Sequence, residues 1–150
     1  MSLFDTVSED IKKAMLAKEK EKLEALRSVK AAFLLARTEA GAGGELTLEA
    51  ELKIVQKLVK QRRESAEIYQ QQNRHDLADK ELLEASVIEQ YLPAQMSEQE
   101  LEAALKTIIE RVGAKAPSDM GKVMGIATKE LSGKADGKAI STKVKQLLAV

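Results

Sequence analysis

The sequence predicts an all-α chain in two parts: an N-terminal domain over residues 1–94, of about four helices with long antiparallel members, then a small three-helix C-terminal domain over residues 95–150. Three observations carry this. Apolar residues recur at steps of three and four along most of the chain, as one buried face of a helix requires. No segment of useful length alternates apolar and polar residues, and β-branched residues are thin, so a sheet has no strands to draw on. Pro93 interrupts the pattern, because the residue before a proline is pushed out of helical geometry.

Each element has its own signal. Leu3, Val7, Ile11 and Met15 mark a first amphipathic helix, and Leu23, Leu26, Val29, Phe33 and Ala36 a second. The glycines of Gly41-Ala42-Gly43-Gly44 break the pattern, since glycine loses the most backbone freedom inside a helix. A long third helix carries Leu48, Leu52, Val55, Val59, Arg62, Ala66 and Tyr69, a coiled-coil-like stripe that one arginine interrupts. Gln70-Gln71-Gln72-Asn73 ends or bends it. The fourth helix takes Ala78, Leu82, Ala85, Ile88 and Leu92 up to Pro93. Beyond it, Ser97-Glu98-Gln99-Glu100 has the Ser-x-x-Glu form of a capping box, with Met96 and Leu101 placed for a hydrophobic staple. Leu101, Leu105, Ile108 and Val112 then line one face, and Gly113 stands where a left-handed residue closes a helix. Ser118 or Asp119 is placed to cap the next helix, which buries Met120, Val123, Ala127 and Leu131 and stops at Gly133. Asp136 starts a last helix with Ile140, Val144 and Leu147 inward.

Composition bounds what these helices do. Lys and Arg number 24 and Asp and Glu number 24, so attraction for a polyanion or a membrane surface has to be local. Cysteine is absent, which removes disulfides, thiolate nucleophiles and cysteine metal sites. The start Met1-Ser2-Leu3-Phe4-Asp5 has neither the basic residues nor the apolar run of a secretory signal, and no stretch is long enough to span a bilayer; the expectation is a cytoplasmic protein with no membrane partner. The single histidine, His75, lies in a polar link with Asp76 and Asp79 but no nucleophile or oxyanion site nearby. Metal-ligand spacings and phosphate loops are missing too. The reading is therefore no catalytic residues, no metal and no cofactor.

Two places stand out. Arg62 sits on an apolar stripe with Arg63 beside it and Arg74 further on; they either lay their stems along apolar surface or present planar donor forks to phosphate or carboxylate. In the tail, Gly121 and Gly125 fall inside a helix, where each glycine costs about 1 kcal/mol relative to alanine. Either a neighbouring helix or a ligand comes close to them. Lys122, Gly125 and Lys129 are three and four residues apart, which puts bare backbone between two ammonium groups on one face. Gly133, Lys134 and Lys138 follow around the start of the last helix, where free amides and the positive dipole end favour anions. The combined pattern suits nucleic-acid phosphate.

Met120-Gly121-Lys122-Val123-Met124-Gly125 together with Gly133-Lys134-Ala135-Asp136-Gly137 resembles the signature of the YqeY family, free-standing relatives of the tail of the B subunit of tRNA-dependent amidotransferase. The likeness extends through Lys60-Gln61-Arg62-Arg63-Glu64-Ser65, Asn73-Arg74 and Tyr91-Leu92-Pro93, nearly the whole chain. The resemblance implies two helical domains and tRNA as leading partner, with the amidotransferase or another protein as further partner. It also implies a family label of carbon–nitrogen ligase with glutamine as amido-N-donor. The amidotransferase tail has an aromatic where Lys122 stands and Asn-Pro where Asp136-Gly137 stands, so its contacts are not carried onto those positions. No stretch resembles the catalytic portion of that enzyme. The expected function is thus a tRNA-binding accessory module, the alternative being an adaptor that docks another helix on the stripe of the third helix.

Overall fold

A computed structural model describes residues 2–39 and 44–149. Among them are seven α-helices and no strand: α1 (Leu3–Leu16), α2 (Lys20–Glu39), α3 (Leu48–Gln71), α4 (His75–Glu89), α5 (Glu98–Val112), α6 (Met120–Glu130) and α7 (Gly137–Leu148), with a 3-10 turn at Pro117–Asp119 ahead of α6. Gly41 and Gly43, two of the glycines expected to break the pattern, lie outside the described residues. The chain divides into two compact units, residues 1–92 and 93–150.

In the first unit α3 and α4 form a helical hairpin. The short link between them turns at Asn73, whose φ of 58° is a left-handed value that asparagine tolerates. α2 packs on α4 and α3, and α1 on α2, around Val29, Phe33, Val55, Val59 and Ile88. Of the stripe of α3, Leu52, Val55, Val59 and Ala66 are buried there. Several sequence expectations shift by a residue or a turn. Met15 is exposed and Ala14 buried in its place, because Ala14 lies two turns from Val7, the other buried residue of α1. Leu48 and Leu82 are exposed, and α4 ends at Glu89, three residues short of Leu92.

At the amino end of α1 every free amide finds an acceptor. Four amides at a helix start lack intrahelical acceptors. Ser2 N–H donates to Asp5 Oδ2 at 3.3 Å and Asp5 N–H to Ser2 Oγ at 3.1 Å, a reciprocal capping box. The remaining two, Leu3 and Phe4, donate to the carboxylate of Glu51 at 3.4 and 2.9 Å. Glu51 belongs to the first turn of α3 and is 2% exposed. It caps one helix from inside another.

In the second unit the Ser97–Glu100 capping box forms at the start of α5, with Glu100 N–H donating to Ser97 Oγ at 3.1 Å and Ser97 N–H to Glu100 Oε1 at 3.2 Å. Leu101 is buried and Met96 packs on the same cluster, as a staple does. Gly113 ends α5 with φ of 69°. The core joins Leu105, Ile108, Val123, Ala127, Ile140 and Val144. Leu148 rather than Leu147 is the last fully inward residue of α7, which continues the buried face one turn beyond Val144.

Candidate nucleic-acid interface

α6 is divided lengthwise. Val123 and Ala127 are wholly buried, whereas Gly121, Lys122, Gly125 and Lys129 are all exposed. At about 100° per residue the four exposed positions fall within an arc of roughly 100°, opposite the buried pair. Neither glycine is covered: a Cβ added at Gly121 or Gly125 meets nothing within 4 Å. Both have ordinary negative φ, so neither conformation nor packing inside this unit calls for glycine there. Of the two sequence readings, close approach of a neighbouring helix within the unit is thus removed.

The turn ahead of α6 is held by Asp119, but not as expected. Its carboxylate reaches backwards and accepts from Lys115 N–H at 3.0 Å and Ala116 N–H at 3.2 Å, leaving α6 without a side-chain cap. Those two amides, with Lys122 adding a smaller effect, hold the Asp119 carboxyl below its usual range. A depressed folded value means that the stabilisation is present above the ordinary aspartate range near pH 4 and is lost as pH falls through the lower, folded value. The stability gap between the parent chain and Asp119→Asn is expected to close on acidification from about pH 6 to about pH 3. Thermal melts across that window check it, and a gap that widens on acidification would contradict the role given to Asp119.

After α6 the chain reverses at Gly133, which is buried and has φ of 76°, a left-handed value that disfavours other residues. Its carbonyl accepts from Gln95 Nε2 at 2.7 Å, and the Lys134 carbonyl accepts from Met96 N–H at 2.9 Å. Asp136 occupies the N-cap position of α7, yet its side chain makes no capping hydrogen bond. Beside this helix start lies a groove of about 550 Å³, whose lining includes Lys134, Lys138, Thr142, Lys143 and Gln146 together with the carboxylates of Glu98 and Asp136. Lys143, Thr142 and Gln146 were not singled out in the sequence. For Thr142 and Gln146 the signal was the i, i+4, i+8 run Lys138, Thr142, Gln146 along one face of α7; Lys143 lies outside that run.

The predicted residues therefore gather in two sets. Gly121, Lys122, Gly125 and Lys129 share the open face of α6, while Lys134 and Lys138 share the groove and Gly133 shapes the loop leading into it. The groove lining includes no residue of α6. Among the described residues Lys129, Lys134 and Lys138 form no ion pair, and all three are exposed; Lys143 is joined to Glu98 at 3.5 Å.

The arginines of the first unit are differently placed. Arg62 is only 17% exposed; its Nε faces Glu84 at 3.3 Å as an ion pair not aligned for a hydrogen bond, and its terminal nitrogens donate to Ser28 Oγ and the Leu58 carbonyl. Arg63 donates to Glu89, and Arg74 pairs with Asp76 at 3.5 Å. The Asp76 carboxyl is held low chiefly by the amide of Leu77, and also by Arg74. All three guanidinium groups have carboxylate partners within their own unit. His75 is the exposed first residue of α4. No group of three or more His, Cys, Asp or Glu among the described residues is placed to hold a metal ion.

Residues 4–148 match the family described as Yqey-like protein. The chain belongs to the YqeY family. Among curated proteins it is similar to "Altered inheritance of mitochondria protein 41, mitochondrial" of Clavispora lusitaniae, 34% identical over 75% of this chain and 66% of that protein. It is similar also to the proteins of the same name in Meyerozyma guilliermondii, 38% identical over 59% of this chain and 46% of that protein, and in Saccharomyces cerevisiae, 31% identical over 91% and 71%. The YqeY chain thus spans two thirds or less of the first two relatives. Their names overturn the cytoplasmic expectation: these relatives are named as mitochondrial. That expectation rested on the lack of cysteine, of a secretory start and of a bilayer-length apolar run, none of which separates cytosol from mitochondrion.

Proposed function

We propose that this YqeY protein is a tRNA-binding accessory module whose second unit holds tRNA through its phosphates, in support of tRNA amidation or a related step and without catalysis of its own. One observation carries the reading: Gly121 and Gly125 stand in open space beside Lys122 and Lys129, on a face that buries nothing in its own unit. Glycine inside an exposed helix is destabilising and needs a reason outside the folded chain. A phosphate backbone approaching between two ammonium groups supplies one. Lys134 and Lys138, at the start of α7, add a second cationic contact. The likeness to the amidotransferase tail supports tRNA as the source of those phosphates. The family label of glutamine-dependent carbon–nitrogen ligase is carried by that likeness alone. The alternative, an adaptor docking through the stripe of α3, has less surface to offer, because Leu52, Val55, Val59 and Ala66 are buried in the first unit while Leu48 at its start is exposed.

Filter-binding titration of total tRNA at several salt concentrations tests the proposal. The logarithm of affinity is expected to fall linearly with the logarithm of salt, and Lys129→Ala to reduce the magnitude of that slope by about 1. Absent binding, or binding indifferent to salt, would discard the reading.

A further inference from the structure

We infer that the second unit is specific for base-paired RNA: it grips the backbone of a double helix and discriminates against single strands. This rests on the tRNA reading above and narrows it to a class of RNA structure. Proteins that hold single strands provide flat surfaces on which unstacked bases lie, each aromatic platform worth about 1–3 kcal/mol. From Pro93 to Val150 the chain has no Phe, Tyr, Trp or His; Phe4, Phe33, Tyr69 and Tyr91 all precede it. Aliphatic side chains do not substitute for them. Every large hydrophobic residue that is strongly exposed among the described residues, from Met15 to Leu83, belongs to the first unit. An arginine plane can also stack on a base, but Arg111, the single arginine of this stretch, lies with both terminal nitrogens on the carboxylate of Glu130.

What the unit does offer is cationic and fixed in spacing. Lys122 and Lys129 are two turns apart on one helix, about 10 Å along its axis. A duplex holds its phosphates in a stiff array that such spacing can meet without further ordering of the RNA. A flexible strand gives up chain freedom to meet the same charges, which weakens its binding. The bare backbone at Gly125, between the lysines, and at Gly121, just ahead of Lys122, leaves room for a sugar–phosphate ridge, in keeping with the shape-based recognition that A-form RNA requires.

Fluorescence anisotropy with the full chain tests this, using three labelled ligands at one salt concentration: a tRNA, an unstructured RNA strand of roughly 16 nucleotides, and that strand annealed to its complement. The duplex is expected to bind at least about tenfold tighter than the strand, a preference that Lys122→Ala with Lys129→Ala abolishes. A strand that binds as tightly as the duplex overturns the inference and leaves the tRNA reading standing. So does binding of tRNA with neither short ligand held. A duplex preference that survives in the doubly substituted chain also overturns it, by placing the contact elsewhere. Failure of all three ligands to bind removes both proposals together.

Discussion

Replacing Glu51 by alanine is expected to lower the unfolding free energy of the first unit by about 3 kcal/mol, a larger loss than any surface carboxylate produces. The carboxylate is 2% exposed and accepts from the amides of Leu3 and Phe4 at the start of α1. Removing it leaves two donors without acceptors beside a void that water enters poorly. It also removes a negative charge from the positive end of a helix dipole. Hydrogen bonds to charged groups contribute about 1.5–3 kcal/mol each, and the 3.4 Å bond to Leu3 belongs at the low end of that range. Glu51→Gln retains one acceptor oxygen, so its loss is expected to be about half as large. Denaturant titration measures both. An alanine variant within about 0.5 kcal/mol of the parent would show that α1 keeps its amino end without help from α3.

The second large effect has opposite signs in two assays. Gly121→Ala combined with Gly125→Ala is expected to raise the stability of the second unit by about 1 kcal/mol, most of it from Gly125, since Gly121 is the second residue of α6, where helix propensity counts for less. The same variant is expected to bind tRNA at least about tenfold more weakly, because two methyl groups stand where the sugar–phosphate backbone has to approach. Most changes that weaken binding by unfolding a protein also lower its melting temperature; this one separates the two. A more stable variant with unchanged affinity would remove α6 from the interface, and a less stable one would reveal a packing role that the open surroundings of both glycines do not indicate.

Local signals were legible in the sequence where the physics is local. The Ser97–Glu100 box, the left-handed closure at Gly113 and the turn at Asn73 each depend on a few adjacent residues, and each forms. Burial was legible to within a helical turn. Leu147 and Leu148 exchange roles because helical periodicity fixes a face but not the neighbour that covers it. Long-range polar pairings were hidden. Glu51 reads as another solvated carboxylate until α1 arrives above it, although its place between Leu48 and Val55 at steps of three and four put it beside the apolar stripe. Arg62 was ambiguous for the same reason, and Glu84 and Ser28, far away in sequence, decide its surroundings. For the interface, residue type and spacing pointed to the lysines and glycines. That Lys143, Thr142 and Gln146 join Lys134 and Lys138 in one groove depends on how α5 and α7 meet, which periodicity does not specify.

The hydrogen bonds from Gln95 and Met96 to the reversal at Gly133 and Lys134 have a practical corollary. A fragment cut to begin at the apparent helix start, Ser97, would discard the strap that pins the lysine-bearing loop. Anyone excising the tail for crystallisation or for titration with nucleic acid should keep the chain from Pro93 onward, or a fragment with a loosened loop will be mistaken for one with no affinity.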